Sequence, residues 1–184
     1  RWLANRPASL ASIIGTEGFQ NSLQVTKTWH LRTPENSDLA VIDTPAGLTR
    51  QELISATRGA DAILIPVMPS DIDIHAVMKC ISDLLLVAKI PRPDMKIGII
   101  ANRVRANTRV YGQLKKFLSS LDIPVVATLR DSQNYTRAFE FGMGIHEMPF
   151  SQVKKDIDAW SDIMGWLDRL RERNLGQPSA IHYL

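Results

Sequence analysis

The sequence predicts an α/β protein, a mostly parallel sheet with helices on both faces. Four short apolar runs each end on a polar residue, and stretches with helical spacing separate them. The chain's 184 residues, 45% of them hydrophobic, are enough for one real core.

The first run, DLAVIDTPAG at residues 38–47, sets an aspartate at the end of an apolar strand and follows it with a turn. A lone carboxylate at the carboxyl edge of a buried parallel strand lies where α/β sheets bind ligands. Asp43 is therefore placed to hold a hydrated Mg²⁺ beside a nucleotide triphosphate. Pro45 and Gly47 belong to a turn whose backbone N–H groups can approach a terminal phosphate without side-chain hindrance. The second run, AILIPV at 62–67, leads through Met68-Pro69-Ser70 into a helical pattern from Asp71. The third, KIGIIA at 96–101, runs into Asn102-Arg103, and the fourth, IPVVATL at 123–129, into Arg130-Asp131-Ser132. Asp43, Ser70, Asn102 and Asp131 would then line one edge of the sheet.

Between the third and fourth runs, Val110, Leu114, Phe117, Leu118 and Leu121 mark one face of an amphipathic helix. From Ser151 a last helix carries Val153, Ile157, Trp160, Ile163, Met164, Leu167 and Leu170 at core-facing spacing. Residues 1–173 read as one domain, and 174–184, with Gly176, Pro178 and Ser179, as a loose tail. The first 37 residues carry weaker signals: an apolar stretch at 10–14, a break at 15–18 and a short β-like run at 23–29.

A net charge of +3 and a pI near 9.2 are too mild to establish a polyanionic partner alone. Distribution says more. Residues 92–137 hold nine basic side chains against three acidic ones, a local excess of six. The single cysteine, Cys80, excludes an intramolecular disulfide and fits a reducing cytoplasm. No apolar run reaches about 18 residues, so a membrane span is not expected.

DLAVIDTPAG, then GADAILIPVMPSDIDIHAV at 59–77, IIANRVRANTRVYGQLKKFL at 99–118 and VVATLRDSQNYTRAFEFGMGIHEM at 125–148, resemble in order and spacing the ParA/MinD family of deviant Walker ATPases. The resemblance covers roughly residues 1–148. Trp2 and Arg6 resemble the segment that follows the family's second aspartate-rich motif. The family's glycine-rich K-G-G-x-G-K-[ST] loop is missing, and no G-x-x-x-x-G-K-[ST] occurs in the 184 residues. The expectation is a P-loop NTPase-like fold without its N-terminal strand and P-loop. Nucleotide affinity should then collapse, because the backbone cradle and the lysine charge opposing the triphosphate are absent.

The resemblance implies ATP and Mg²⁺ as cofactors of the complete protein and a homodimer in the ATP-bound state. It implies non-specific DNA binding and a ParB-like or cargo-adaptor activator. The cargo would be a plasmid, a chromosome region or a protein compartment, and the location the cytoplasm, on the nucleoid. Within the resemblance, Asp43 is the water-mediated Mg²⁺ ligand, and Asp43, Pro45 and Gly47 form the catalytic switch that senses the γ-phosphate. Asn102 matches the position that hydrogen-bonds adenine; Arg103, Arg130 and Asp131 are further cofactor-site candidates, the last two flanking the base or the dimer seam. Arg103, Arg105, Arg109, Lys115, Lys116 and Arg137 are the candidate DNA contacts, since clustered cations supply most non-specific DNA affinity. The tail after Asn174, LGQPSAIHYL, carries no Lys or Arg, which disfavours a basic membrane-targeting helix.

Each candidate also has a plainer reading. Asp43 is equally a strand-terminating aspartate, Pro45 and Gly47 loop punctuation, Asn102 a strand end, and Ser132 the cap of the next helix. The basic side chains are individually ordinary solvated surface. Two other functions compete. A non-catalytic module would bind DNA or a ParA-like partner without turning over ATP. A metal-dependent hydrolase would use Asp71, Asp73 and His75, which share a face only on an extended strand; the apolar spacing that follows them is helical.

Overall fold

The computed structural model describes residues 2–15, 37–45, 47–90 and 96–175. Helix α1 (Arg50–Thr57) is followed by strand β1 (Ile63–Val67), α2 (Asp71–Leu86), β2 (Ile97–Val104), α3 (Arg109–Ser119), β3 (Val125–Arg130), α4 (Gln133–Glu140) and α5 (Phe150–Leu175). Single 3₁₀ turns lie at Leu3–Asn5 and Ile145–Glu147. The three strands form one parallel sheet in the order β1-β2-β3, each connected through a helix. Parallel neighbours require such crossovers, and the buried apolar run of β2 suits a strand covered by helices on both faces.

Alternate residues of β2 face opposite sides of the sheet. Ile97, Ile99 and Ala101 join Val77, Ile81 and Leu84 of α2 and Leu114 and Leu118 of α3 in one core cluster. On the other face, Ile100 packs with Ala127 and Leu129 of β3 and Ile163 of α5. Helices thus cover both faces, as the alternation of strand and helix predicts. Gly98 belongs to this second face: a Cβ there would meet Val126 at 2.5 Å and Trp166 at 3.0 Å, so the missing side chain lets α5 approach the sheet.

Local signals fix the helix starts. Thr49 and Glu52 form a capping box at α1, and Ser70, Thr108 and Ser132 accept backbone N–H groups at the starts of α2, α3 and α4. Ser132 is indeed the cap of the next helix. The α3 face departs from the predicted one. Leu114 and Leu118 are buried and Phe117 and Leu121 pack against them, but Val110 is exposed and Tyr111 takes its place. In α5, Met164 is exposed, while Asp156 and Trp166, absent from the predicted stripe, are buried. The helix also runs to Leu175, two residues past the boundary read from the sequence; the rest of the tail, like the β-like run at 23–29, lies outside the described residues.

One predicted strand is not present. Residues 39–43 adopt no strand, and Leu39, Val41 and Ile42 are exposed, Val41 by 83%. A β-strand exists only with a neighbour that takes its N–H and C=O groups, and among the described residues none pairs with this segment. The chain is anchored again at α1, where Ala56 is buried and Leu53 packs on the core.

Candidate functional site

The carboxyl ends of β1, β2 and β3 place Ser70, Asn102, Arg103, Arg105 and Asp131 along one edge of the sheet. A β-bulge shapes this edge. Ala101 pairs with Thr128 and Val104 with Arg130, three steps along β2 against two along β3. The extra residue is absorbed at Arg103, whose φ of 50° is left-handed, and the Asn102 Oδ1 accepts the Arg103 N–H at 3.0 Å. A bulge re-aims side chains, and here it turns Arg103 toward the end of β3.

There Asp131 gathers two arginines. Arg105 Nε donates to Asp131 Oδ2 at 2.8 Å and Arg103 Nε to Oδ1 at 3.4 Å, while the Asp131 N–H is tied to the Val104 carbonyl at 2.9 Å. The hydrogen bond from Arg105, with that from Arg103, holds the Asp131 carboxyl below the usual carboxylate range. Both arginines remain largely exposed, at 66% and 76%. One carboxylate against two guanidiniums leaves the edge positive, with free N–H groups for an anion.

Arg130 behaves differently. Its Nε and Nη2 donate to the two oxygens of Asp156 at 2.7 and 2.9 Å, a bidentate pair on α5. Asp156 is fully buried and also accepts from Asn134 Nδ2 at 2.7 Å and Ser132 Oγ at 3.4 Å. Burial pushes its carboxyl up, but the hydrogen bonds from Arg130, Asn134 and Ser132 outweigh it and keep the group ionised. Sequence reading missed Asp156; the available signal was a carboxylate three residues after Val153 on the core stripe of α5. Arg6 and Glu147 were a second omission as a pair. Arg6 Nη2 donates to Glu147 Oε1 at 2.6 Å, and Arg6 Nη1 donates to Glu147 Oε2 and the Gly142 carbonyl at 3.0 and 3.2 Å.

The remaining sequence candidates are dispersed. Asp43, Pro45 and Gly47 are exposed in the segment before α1, Gly47 with a φ of 74° that suits glycine. Arg109 and Arg137 are exposed at the start of α3 and within α4. Lys115 and Lys116 lie further along α3, with Lys115 Nζ 4.9 Å from the centre of the Tyr111 ring. Asp71, Asp73 and His75 are on helix α2, with Asp73 held by the Ser70 cap. Among the described residues no three His, Cys, Asp or Glu side chains form a group able to hold a metal ion.

No lysine-bearing glycine loop of the form G-x-x-x-x-G-K-[ST] occurs in the sequence.

No family model matches the chain. It is similar to the maintenance of carboxysome distribution protein A of Halothiobacillus neapolitanus (strain ATCC 23641 / c2), with 25% identity over 114 residues. The overlap takes in 61% of this chain and 52% of that protein, so the chain spans about half the length of the relative it matches. No helix among the described residues is long and apolar enough to cross a membrane.

Proposed function

We propose that the chain belongs to a ParA-like positioning protein that distributes a cargo by binding DNA without sequence preference. One observation carries this reading: a parallel α/β sheet displays an arginine pair at its carboxyl edge, in a chain similar to a protein named for carboxysome distribution. Phosphate neutralisation by clustered arginines requires no base contact, and Arg109, four residues after Arg105, extends the positive surface onto α3.

Nucleotide-dependent dimerisation, an adaptor that triggers release and a place on the nucleoid belong to the same reading. In it, Asp43, Pro45 and Gly47 serve the phosphate end of a nucleotide and Asn102 the base, once a lysine-bearing loop is supplied. Asp131 partly offsets the charge of Arg103 and Arg105, whereas Arg130 is engaged chiefly by Asp156.

The test is duplex DNA binding by the full chain across a salt series. Replacing Arg103, Arg105 and Arg109 together by Glu should weaken binding and flatten the logarithmic salt slope by about 2 to 3, the loss of three phosphate contacts. An unaltered slope would remove the arginine edge from the DNA surface. ATP titration of the same chain should give no micromolar binding, and tight binding would contradict the need for an external lysine loop.

A further inference from the structure

The basic residues of this chain divide into two groups with different surroundings. Arg103 and Arg105 stand around Asp131 at the carboxyl edge. Lys115 and Lys116 instead rim a groove of about 560 Å³ between α3 and the sheet, floored by Ala101 of β2 and Val125 and Thr128 of β3.

Three features describe that groove. First, β3 is the outer strand of the sheet among the described residues, and α5 packs on one of its faces only, through Ala127 and Leu129. On the groove side Val125 is 42% exposed although it lies in a strand, and Thr128 is exposed too. Second, the wall is apolar below and cationic above: Leu118 is buried at its base, and Lys115 is held over the Tyr111 ring, one turn earlier on α3. Third, no carboxylate is among the lining residues, so neither lysine is neutralised within the groove. An outer strand with a half-exposed apolar face offers main-chain groups to an added strand and apolar surface to its alternate side chains.

We propose that this groove docks an extended acidic peptide segment of a partner protein, which adds as a strand along β3 with its carboxylates against Lys115 and Lys116. Charge complementarity selects the carboxylates, and the apolar floor selects a peptide over a nucleic acid backbone. Phosphates gain nothing from the exposed Val125 side chain, whereas a valine or leucine side chain of a peptide does. The proposal does not depend on nucleotide or DNA binding, and it withdraws Lys115 and Lys116 from the DNA surface.

The probe is a fluorescein-labelled nine-residue peptide with threonine at every second place and valine and glutamate alternating at the others, so that one face of the strand carries both. Fluorescence anisotropy with the full chain should detect binding that falls at least fivefold when glutamine replaces glutamate in the peptide. K115E together with K116E should weaken it at least tenfold, and Val125→Glu, on the floor, should weaken it as well. Both sites are exposed, and circular dichroism checks that the variants stay folded. Amide shifts on titration should centre on residues 125–130. Absence of binding, indifference to the glutamates, or shifts elsewhere would overturn the proposal. So would displacement of the peptide by a 20-base-pair DNA duplex whose own binding is lost in the lysine double variant, which would make the groove a nucleic-acid surface.

Discussion

Asp156 is the residue on which most polar structure converges. It joins the end of β3, the first turn of α4 and α5 through Arg130, Ser132 and Asn134. Asp156→Ala should cost about 2 to 4 kcal/mol in urea unfolding, because it leaves the Arg130 guanidinium and the Asn134 amide without their acceptor; the partial exposure of Arg130 keeps the cost below that of a fully buried pair. The carboxyl is held below its ordinary value, so its contribution is fully present above the unfolded pKa near 4 and disappears as pH falls through the lower folded value. Acid titration of stability in the wild type should therefore be steeper below about pH 4 than in Asp156→Asn. Asp131 makes the opposite kind of prediction. Asp131→Asn removes the charge that offsets Arg103 and Arg105, so duplex DNA binding at low salt should tighten with little change in stability; weakened binding would show that Asp131 is needed to aim the arginines.

At the level of elements, the sequence was legible where an apolar run could be buried on its own terms. The second, third and fourth runs became β1, β2 and β3 within two or three residues of their predicted ends. Helix faces were less exact. The α3 pattern fits either Val110 or Tyr111 beside Leu114, and only packing against β2 selects Tyr111. Leu114→Ala, at a fully buried position, should destabilise by about 2 to 5 kcal/mol, whereas Val110→Ala should stay within about 0.5 kcal/mol in the same denaturation assay. The strand predicted at 39–43 failed for a different reason. Its apolar composition is right, but pairing is a property of two strands, and the residues described provide no second one.

Across the whole molecule, the N-terminal segment is tied to the connection between α4 and α5. Trp2 Nε1 donates to the Met143 carbonyl at 3.1 Å, and Arg6 grips Glu147 across 141 positions of sequence. The hydrogen bond from Arg6, then that from the Gly144 N–H, holds the Glu147 carboxyl low. Gly142 fits between them with a φ of 65°, where a Cβ would lie 2.4 Å from the Asn5 carbonyl carbon. Gly142→Ala is expected to cost about 2 kcal/mol by thermal unfolding. Arg6→Ala should leave the sheet intact and release residues 2–15, seen as faster proteolytic cleavage in that segment; unchanged cleavage would assign the anchoring to Trp2 and Asn5, which donate to the Met143 and Glu140 carbonyls.

The order of apolar runs and capping residues was enough to determine a parallel sheet with helices on both faces, because burial periodicity and N-caps are local properties. The sequence also named nearly every polar residue at the carboxyl edge. What only the tertiary structure decided was their pairing: Arg103 and Arg105 on Asp131 through a bulge, Arg130 on a buried Asp156, and Lys115 and Lys116 over an open groove. Charged side chains look alike in a sequence, and their roles differ only once the backbone has fixed which opposite charge, or which apolar floor, lies within reach.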